Sequence, residues 1–238
     1  MTTNLSVPER ALAIGAHPDD IEFGCGATLA KWAAAGCSVT LLVLTDGSKG
    51  TWDGGDEPDK LAVLRNMEQQ HAAAALGADR VEFLGRVDGE LVNGREEQAE
   101  VCRVIRVWRP DVVLGHDPWK RYRIHPDHRH AGWLTLDAIV AARDPHFFPD
   151  QPVAVHRPSC VLLFEAEEVD HLEAVDEWID TKVAALLEHR SQWRSTMAID
   201  DDGTGRDAFA AKVRDTATRA AEHTALVAAE AFKRIDDL

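Results

Sequence analysis

Apolar and polar positions along the chain follow two periods. Short apolar or β-branched runs at residues 10–16, 38–45 (SVTLLVLT), 81–84, 111–115 (DVVLG) and 161–164 predict strands, several buried on both faces. Segments with helical spacing lie between them, over residues 24–36, 60–76, about 96–108 and 127–142. Within 60–76, Leu61, Leu64, Met67 and His71 recur at three- and four-residue steps. That stripe predicts the buried face, with His71 a core or boundary histidine. The last third reads as long helices, about 172–189 and 206–232, joined by the loop DDDGT at 200–204. Residues 145–158, with four prolines, read as the longest loop. Alternating strands and helices predict an α/β fold, a mostly parallel sheet with helices on both faces. The length fits one domain spanning 1–238, with the C-terminal helices from about 171 packing on or extending it.

Composition narrows the function. Lys and Arg number 26 against 41 Asp and Glu, a net charge of −15. Such a field repels nucleic acid and anionic membranes, and the one basic run, WKRYR at 119–123, is short. No membrane insertion is expected, because the N-terminal apolar stretch is too short for a signal peptide or a spanning helix. Cys25, Cys37, Cys102 and Cys160 are scattered, without a Cys-x-x-Cys pair, and read as buried free thiols in a reducing compartment. The expected location is the cytoplasm.

The chemistry collects where the strands end. In open parallel sheets ligands bind beyond the carboxyl ends of the strands. The first strand runs into His17-Pro18-Asp19-Asp20, the second into Asp46, the third toward Asp88, and the fourth into His116-Asp117 and then His125-Pro126-Asp127-His128. Catalytic zinc uses three protein ligands of mixed imidazole and carboxylate and leaves one position to water. His17 with Asp19 or Asp20 can reach one ion from a tight turn. His125 and His128, at i and i+3 of a helix start, can supply a further ligand and a residue over the substrate. One carboxylate and one imidazole are then spare, as a proton acceptor and an oxyanion stabiliser in its imidazolium form. Asp127 sits between the two histidines and is positioned to orient His125.

AHPDDIE (16–22) and HPDH (125–128) together resemble the paired signature of the LmbE-like (PIG-L) zinc-dependent N-deacetylases. The resemblance extends to LTDGSKG at 44–50, Arg65 and Glu68, and KVAALLEHRSQW at 182–193. It implies a Rossmann-like fold and zinc on His17, Asp20 and His128. It implies Asp19 as general base, with His125 stabilising the intermediate and Asp127 behind it. Arg65 resembles a substrate-contacting arginine of the sugar-specific members. Asp88, near the expected cleft, and Arg123 join it as substrate-facing candidates. Arg123 stands where some members carry a carbonyl-holding tyrosine. The implied substrate is a small N-acetylated molecule of the N-acetylglucosamine type. The implied ion is Zn2+, with other divalent ions such as Fe2+ compatible with the ligands, and the resemblance leaves a homo-oligomer open. The alternatives are an amidase of the same family acting on a non-sugar or thiol-conjugate amide, a non-haem iron oxygenase built on His17, Asp19 and His128, and a dinucleotide-binding protein built on Gly24-x-Gly26 and Asp46. The last has Leu29 where a third glycine belongs, and three carboxylates where a pyrophosphate would sit.

Overall fold

A computed structural model describes residues 1–238. The strands are β1 (Thr2–Thr3), β2 (Arg10–Gly15), β3 (Ser38–Thr45), β4 (Arg80–Arg86), β5 (Val112–His116), β6 (Cys160–Phe164), β7 (His171–Ala174) and β8 (Ala229–Ile235). The helices are α1 (Asp20–Ala34), α2 (Pro58–Leu76), α3 (Arg95–Trp108), α4 (Pro126–Arg143), α5 (Ile179–Leu187) and α6 (Arg206–Ala220). The strands form one sheet in the order β1-β7-β8-β6-β5-β2-β3-β4. From β4 to β6 every pairing is parallel, and β8 runs antiparallel to both β6 and β7. The α/β class predicted from the pattern is the one found.

Successive strand residues serve opposite faces, as the pleat requires. Leu12, Ile14, Leu42, Leu44, Val113 and Val161 pack with Val101, Ile105, Leu134 and Ala138 of α3 and α4. Ala11, Ala13, Leu41, Val43, Leu114 and Leu162 pack with Ile21, Leu29 and Trp32 of α1. Two cores therefore sandwich the sheet, which explains why SVTLLVLT lacks polar alternation. The chain leaves β2 toward β3 on one side and later returns to β5 on the other. The reversal opens a crevice beyond the carboxyl ends of β2 and β5, the usual ligand position in such sheets.

Helix α1 breaks at Cys25, whose φ of −151° and ψ of 18° are non-helical. The break exposes a second set of helix-start amides, and the Glu230 carboxylate from β8 accepts hydrogen bonds from the N–H groups of Ala27 (3.1 Å) and Thr28 (2.8 Å). Gly24 sits at the same break. A Cβ there would lie 2.5 Å from the Phe164 ring, so this glycine serves close packing of α1 on the sheet.

Two expectations are corrected. The region 172–189 holds strand β7 before the shorter helix α5, and 206–232 ends its helix at Ala220 and re-enters the sheet as β8. The alanine-rich segment 220–231 has high helix propensity, yet pairing of β8 with two strands and burial of Phe232 override it. The second correction concerns α2. Leu64, Met67 and His71 are exposed, and the buried face carries Leu61, Arg65, Glu68, Gln69, Ala72, Ala73 and Leu76. No helix is long and apolar enough to cross a membrane, and all four cysteines are free and buried.

Candidate metal centre and active site

His17 leaves the end of β2, and Asp20 starts α1. The intervening turn is tied by the His17 N–H, which donates to Asp20 Oδ2 at 2.7 Å. Asp19 has φ 99°, a conformation costly for any residue but glycine. Its N–H donates to Gln69 Oε1 at 3.0 Å. Arg65 donates to the carbonyls of Pro18 and Gly47 and lies 3.6 Å from the Asp19 carboxylate. The polar buried face of α2 thus holds the turn in shape. Gln69 in turn donates to Glu22 at 2.6 Å, and buried His189 stands 3.5 Å from the same carboxylate.

From α4, His128 meets this turn. His17 Nδ1 lies 3.2 Å from Asp20 Oδ2 and 3.2 Å from His128 Nε2, while His128 Nε2 lies 3.3 Å from Asp20 Oδ1. Ligand atoms on a tetrahedral ion with bonds of ~2.0–2.1 Å are separated by ~3.3–3.4 Å, so this spacing suits a zinc-sized ion. The other ring nitrogen of His17 faces Asp88 Oδ1 at 3.1 Å and Asp127 Oδ2 at 3.2 Å. Those carboxylates accept the Nε2 proton and leave Nδ1 with its lone pair toward Asp20 and His128, the usual support for a ligating histidine. The donor chemistry therefore fits a metal. Asp20, His116 and His128 also stand within shared ligand distance, as do His17, Asp88 and Asp127.

The surrounding carboxylates favour a second proton on His17, and an ion on Nδ1 would replace that proton. Burial disfavours charge on His17, but hydrogen bonds to Asp127, Asp20 and Asp88 outweigh it and lift the pKa well above the usual value. Burial likewise opposes ionisation of Asp20, and His128 and His116 overcome it, holding the carboxylate well below the ordinary range. Burial takes His128 down to about 4, with His116, His17 and Arg123 adding to the shift, so its imidazole is neutral near pH 7. Asp19, without a direct basic partner at hydrogen-bond distance, is pushed by burial up to about 6, partly offset by Arg65.

The structure revises two roles. Asp127 faces His17 rather than orienting His125; its carboxylate also accepts from the N–H groups of Gly89 (2.7 Å) and Leu91 (3.3 Å). The reason is the helix start: His125 is the cap of α4, and its Nδ1 accepts the Asp127 N–H at 3.3 Å. That bond places the ring proton on Nε2. Burial and neighbouring His17 depress the His125 pKa, so it stands in the free site as a neutral N–H donor and not as the expected imidazolium.

Each expected substrate-facing residue already has protein partners. Arg65 is used as described, Asp88 accepts the Lys49 N–H at 3.1 Å as well as facing His17, and Arg123 pairs with Glu165 and donates toward His128 Nδ1. An ion held by His128 Nε2 would require the ring proton on Nδ1, and Arg123 would then keep only its Glu165 partner. Arg65 and Asp88 line the cavity, and Arg123 borders it through His128 and Glu165. Asp46 and Asp117 are loop carboxylates bonded to nearby amides. Residues absent from the expected site are His116, Glu165, Gln69 and His189. His116 joins Asp20 (3.3 Å) to Glu165 (3.3 Å) and stacks on His128 with ring centres 4.5 Å apart. Its position as the last residue of β5 was the available signal.

A candidate histidine–aspartate metal site at the switch point of a parallel sheet marks the chain as an α/β protein with hydrolase-like site chemistry. Residues 12–139 match the family PIG-L: GlcNAc-PI de-N-acetylase, and the chain belongs to that family. It is 36% identical over 188 residues to the diacetylchitobiose deacetylase of Thermococcus kodakarensis, covering 78% of this chain and 70% of that protein. It is 35% identical over 169 residues to the 1D-myo-inositol 2-acetamido-2-deoxy-alpha-D-glucopyranoside deacetylase of Kineococcus radiotolerans. That match takes in 58% of this chain, and the chain spans about half (46%) of that relative's length. The fold superimposes on the N,N'-diacetylchitobiose deacetylase of Pyrococcus horikoshii with a TM-score of 0.87 at 27% identity, over 96% of this chain and 84% of that one.

Proposed function

We propose that the whole chain acts as one catalytic unit, a zinc-dependent hydrolase that removes the N-acetyl or N-acyl group of a small amino-sugar-type substrate. The observation that carries this reading is the closely spaced donor set of His17, Asp20 and His128 with the spare carboxylate of Asp19 beside it. The relatives named above, deacetylases of N-acetylated sugars, support the substrate class.

A divalent ion held by His17, Asp20 and His128 would lower the pKa of its water toward ~7 and polarise the amide carbonyl. Asp19, at about 6, takes the proton of the attacking water and returns it to the leaving nitrogen. His125 offers its Nε2–H to the developing oxyanion. Asp127 and Asp88 fix the His17 ring through Nε2. Arg65 and Asp88 border the space for the amine-side hydroxyls, and Arg123 stands behind His128 with Glu165. The same machinery would serve a non-sugar amide, and ferrous iron would fit the same ligands. We place the enzyme in the cytoplasm, a reading supported by its free buried cysteines.

The test combines metal analysis with a fluorescamine assay for amines released from N-acetylated amino sugars. Wild type should release amine. Asp19→Ala should retain metal and lose turnover by ~10³-fold or more, the range of a general base acting with its neighbours. Near-normal turnover by that variant overturns the mechanism.

A further inference from the structure

The cavity at the candidate metal site is larger than a monosaccharide requires, about 810 Å³, and its lining residues fall into two chemistries. Opposite nitrogens of the His17 ring mark the two sides: Nε2 faces Asp88 and Nδ1 faces Asp20. The Asp88 side is polar, with Lys49, Thr51 and Arg65 on its walls. Arg65 lies near Asp19, the group that returns a proton to the leaving nitrogen. The amine half of the substrate belongs on this side.

A second part of the lining comes from the broken helix α1, α5, α6 and β8 and forms a trough. Phe23, Val175, Ile179, Phe209, Val213 and Ala217 wall it, with the exposed Lys212 and Thr216 of α6 on its solvent side. Its buried charges are Lys182 and Glu230, and they satisfy each other at 2.7 Å. Lys182 also donates to the Phe23 carbonyl at 2.7 Å, and both Glu230 oxygens accept α1 amides. The pair thus leaves few hydrogen bonds for a guest. A sugar ring placed there would bury hydroxyls against apolar walls, which is costly. A hydrocarbon chain would bury only apolar surface, which is favourable.

We infer that the trough holds the acyl half of the substrate, so that the preferred amides carry a linear aliphatic acyl chain longer than acetyl on a polar amine. This rests on the hydrolase reading above and adds the acyl specificity. Water contributes hydroxide to the carbonyl carbon and the C–N bond breaks. The remaining proton passes through Asp19 to nitrogen, giving a fatty carboxylate and a free amine.

The test uses the full-length, metal-loaded chain and a series of N-acylglucosamines from acetyl to decanoyl. The expected result is a rise in kcat/KM of about two- to fourfold per added methylene, reaching ~10²-fold or more at octanoyl, the scale of burying methylenes. Ala217→Phe, which narrows the trough, should lower kcat/KM for the octanoyl and decanoyl compounds far more than for the acetyl compound and so flatten the gradient. Decanoate should bind the metal-free wild-type protein saturably, a readout that needs neither the variant nor turnover. Cleavage of the acetyl compound with no gain for longer chains, or no decanoate binding, overturns the inference and leaves the hydrolase reading intact. Failure to cleave any member of the series, with decanoate still bound, supports the trough and overturns the hydrolase reading.

Discussion

Helices α2 and α3 are both crossover helices of one sheet, yet they bury opposite kinds of surface. Helix α3 puts Val101, Cys102, Val104 and Ile105 into the core, and its deeply buried charge, Arg106, donates to carbonyls at the end of α4 and in the loop after it, including those of Ala141, Asp144 and Phe147. Helix α2 turns Arg65, Glu68 and Gln69 inward and leaves Val63, Leu64 and Met67 exposed. The inward residues are all bonded. Arg65 and Gln69 hold the Pro18–Asp19 turn, and Glu68 accepts from Ser191 through both its amide (2.8 Å) and its hydroxyl (2.6 Å). A helix that borders a site is patterned by the site, while one that borders only core is patterned by core.

The contrast is open to mutation. The largest effect is expected from Arg65→Leu, which strips the Pro18 and Gly47 carbonyls of their donor beside the base. Turnover should fall ~10²–10³-fold, the cost of a misplaced catalytic group, in amine-release assays on variants shown to be folded. Activity near wild type would make the buried polar face of α2 a structural accident. Next comes Ile105→Ala on α3, which should cost ~2–4 kcal/mol in denaturant unfolding while kcat of the folded fraction is kept. A loss of kcat without a loss of stability would reverse the roles assigned to the two helices.

A smaller effect belongs to Glu173, far from the metal centre. Burial raises the cost of its charge, but His171, Lys31 and the Leu5 N–H outweigh that and hold its pKa below the usual carboxylate value. A folded pKa below the unfolded one gives stability that is present above the unfolded value and lost as pH falls through the folded one. Glu173→Gln should therefore lower Tm at pH 7, and the gap to wild type should close on acidification toward pH 3. A gap that widened in acid would contradict the assignment. The smallest effect is expected for Leu64→Gln and Met67→Gln, each within ~0.5 kcal/mol of wild type, as for surface positions. A loss of several kcal/mol at either would mean that this exposed face is covered in solution.

What the sequence revealed was contiguous. AHPDD and HPDH place three donors and a spare acid in two short stretches, and unbroken runs such as SVTLLVLT mark strands whatever surrounds them. What it hid depended on partners far along the chain. Glu230 looks like one more acid in an alanine-rich helix until the break at Cys25 supplies amides for it to accept. His116 and Glu165 come from adjacent strand ends whose pairing no local pattern states. His71, expected at the core or its boundary, is exposed because apolar steps alone select the wrong face of α2.

The central claim is that the β2 turn and the start of α4 together grip one divalent ion, with Asp19 beside it and not part of the grip. Metal stoichiometry of wild type, His128→Ala and Asp19→Ala, measured side by side after dialysis, tests it most directly. The account predicts about one ion per chain in wild type and in Asp19→Ala and little or none in His128→Ala. Full metal in His128→Ala, or loss of metal from Asp19→Ala, would contradict it.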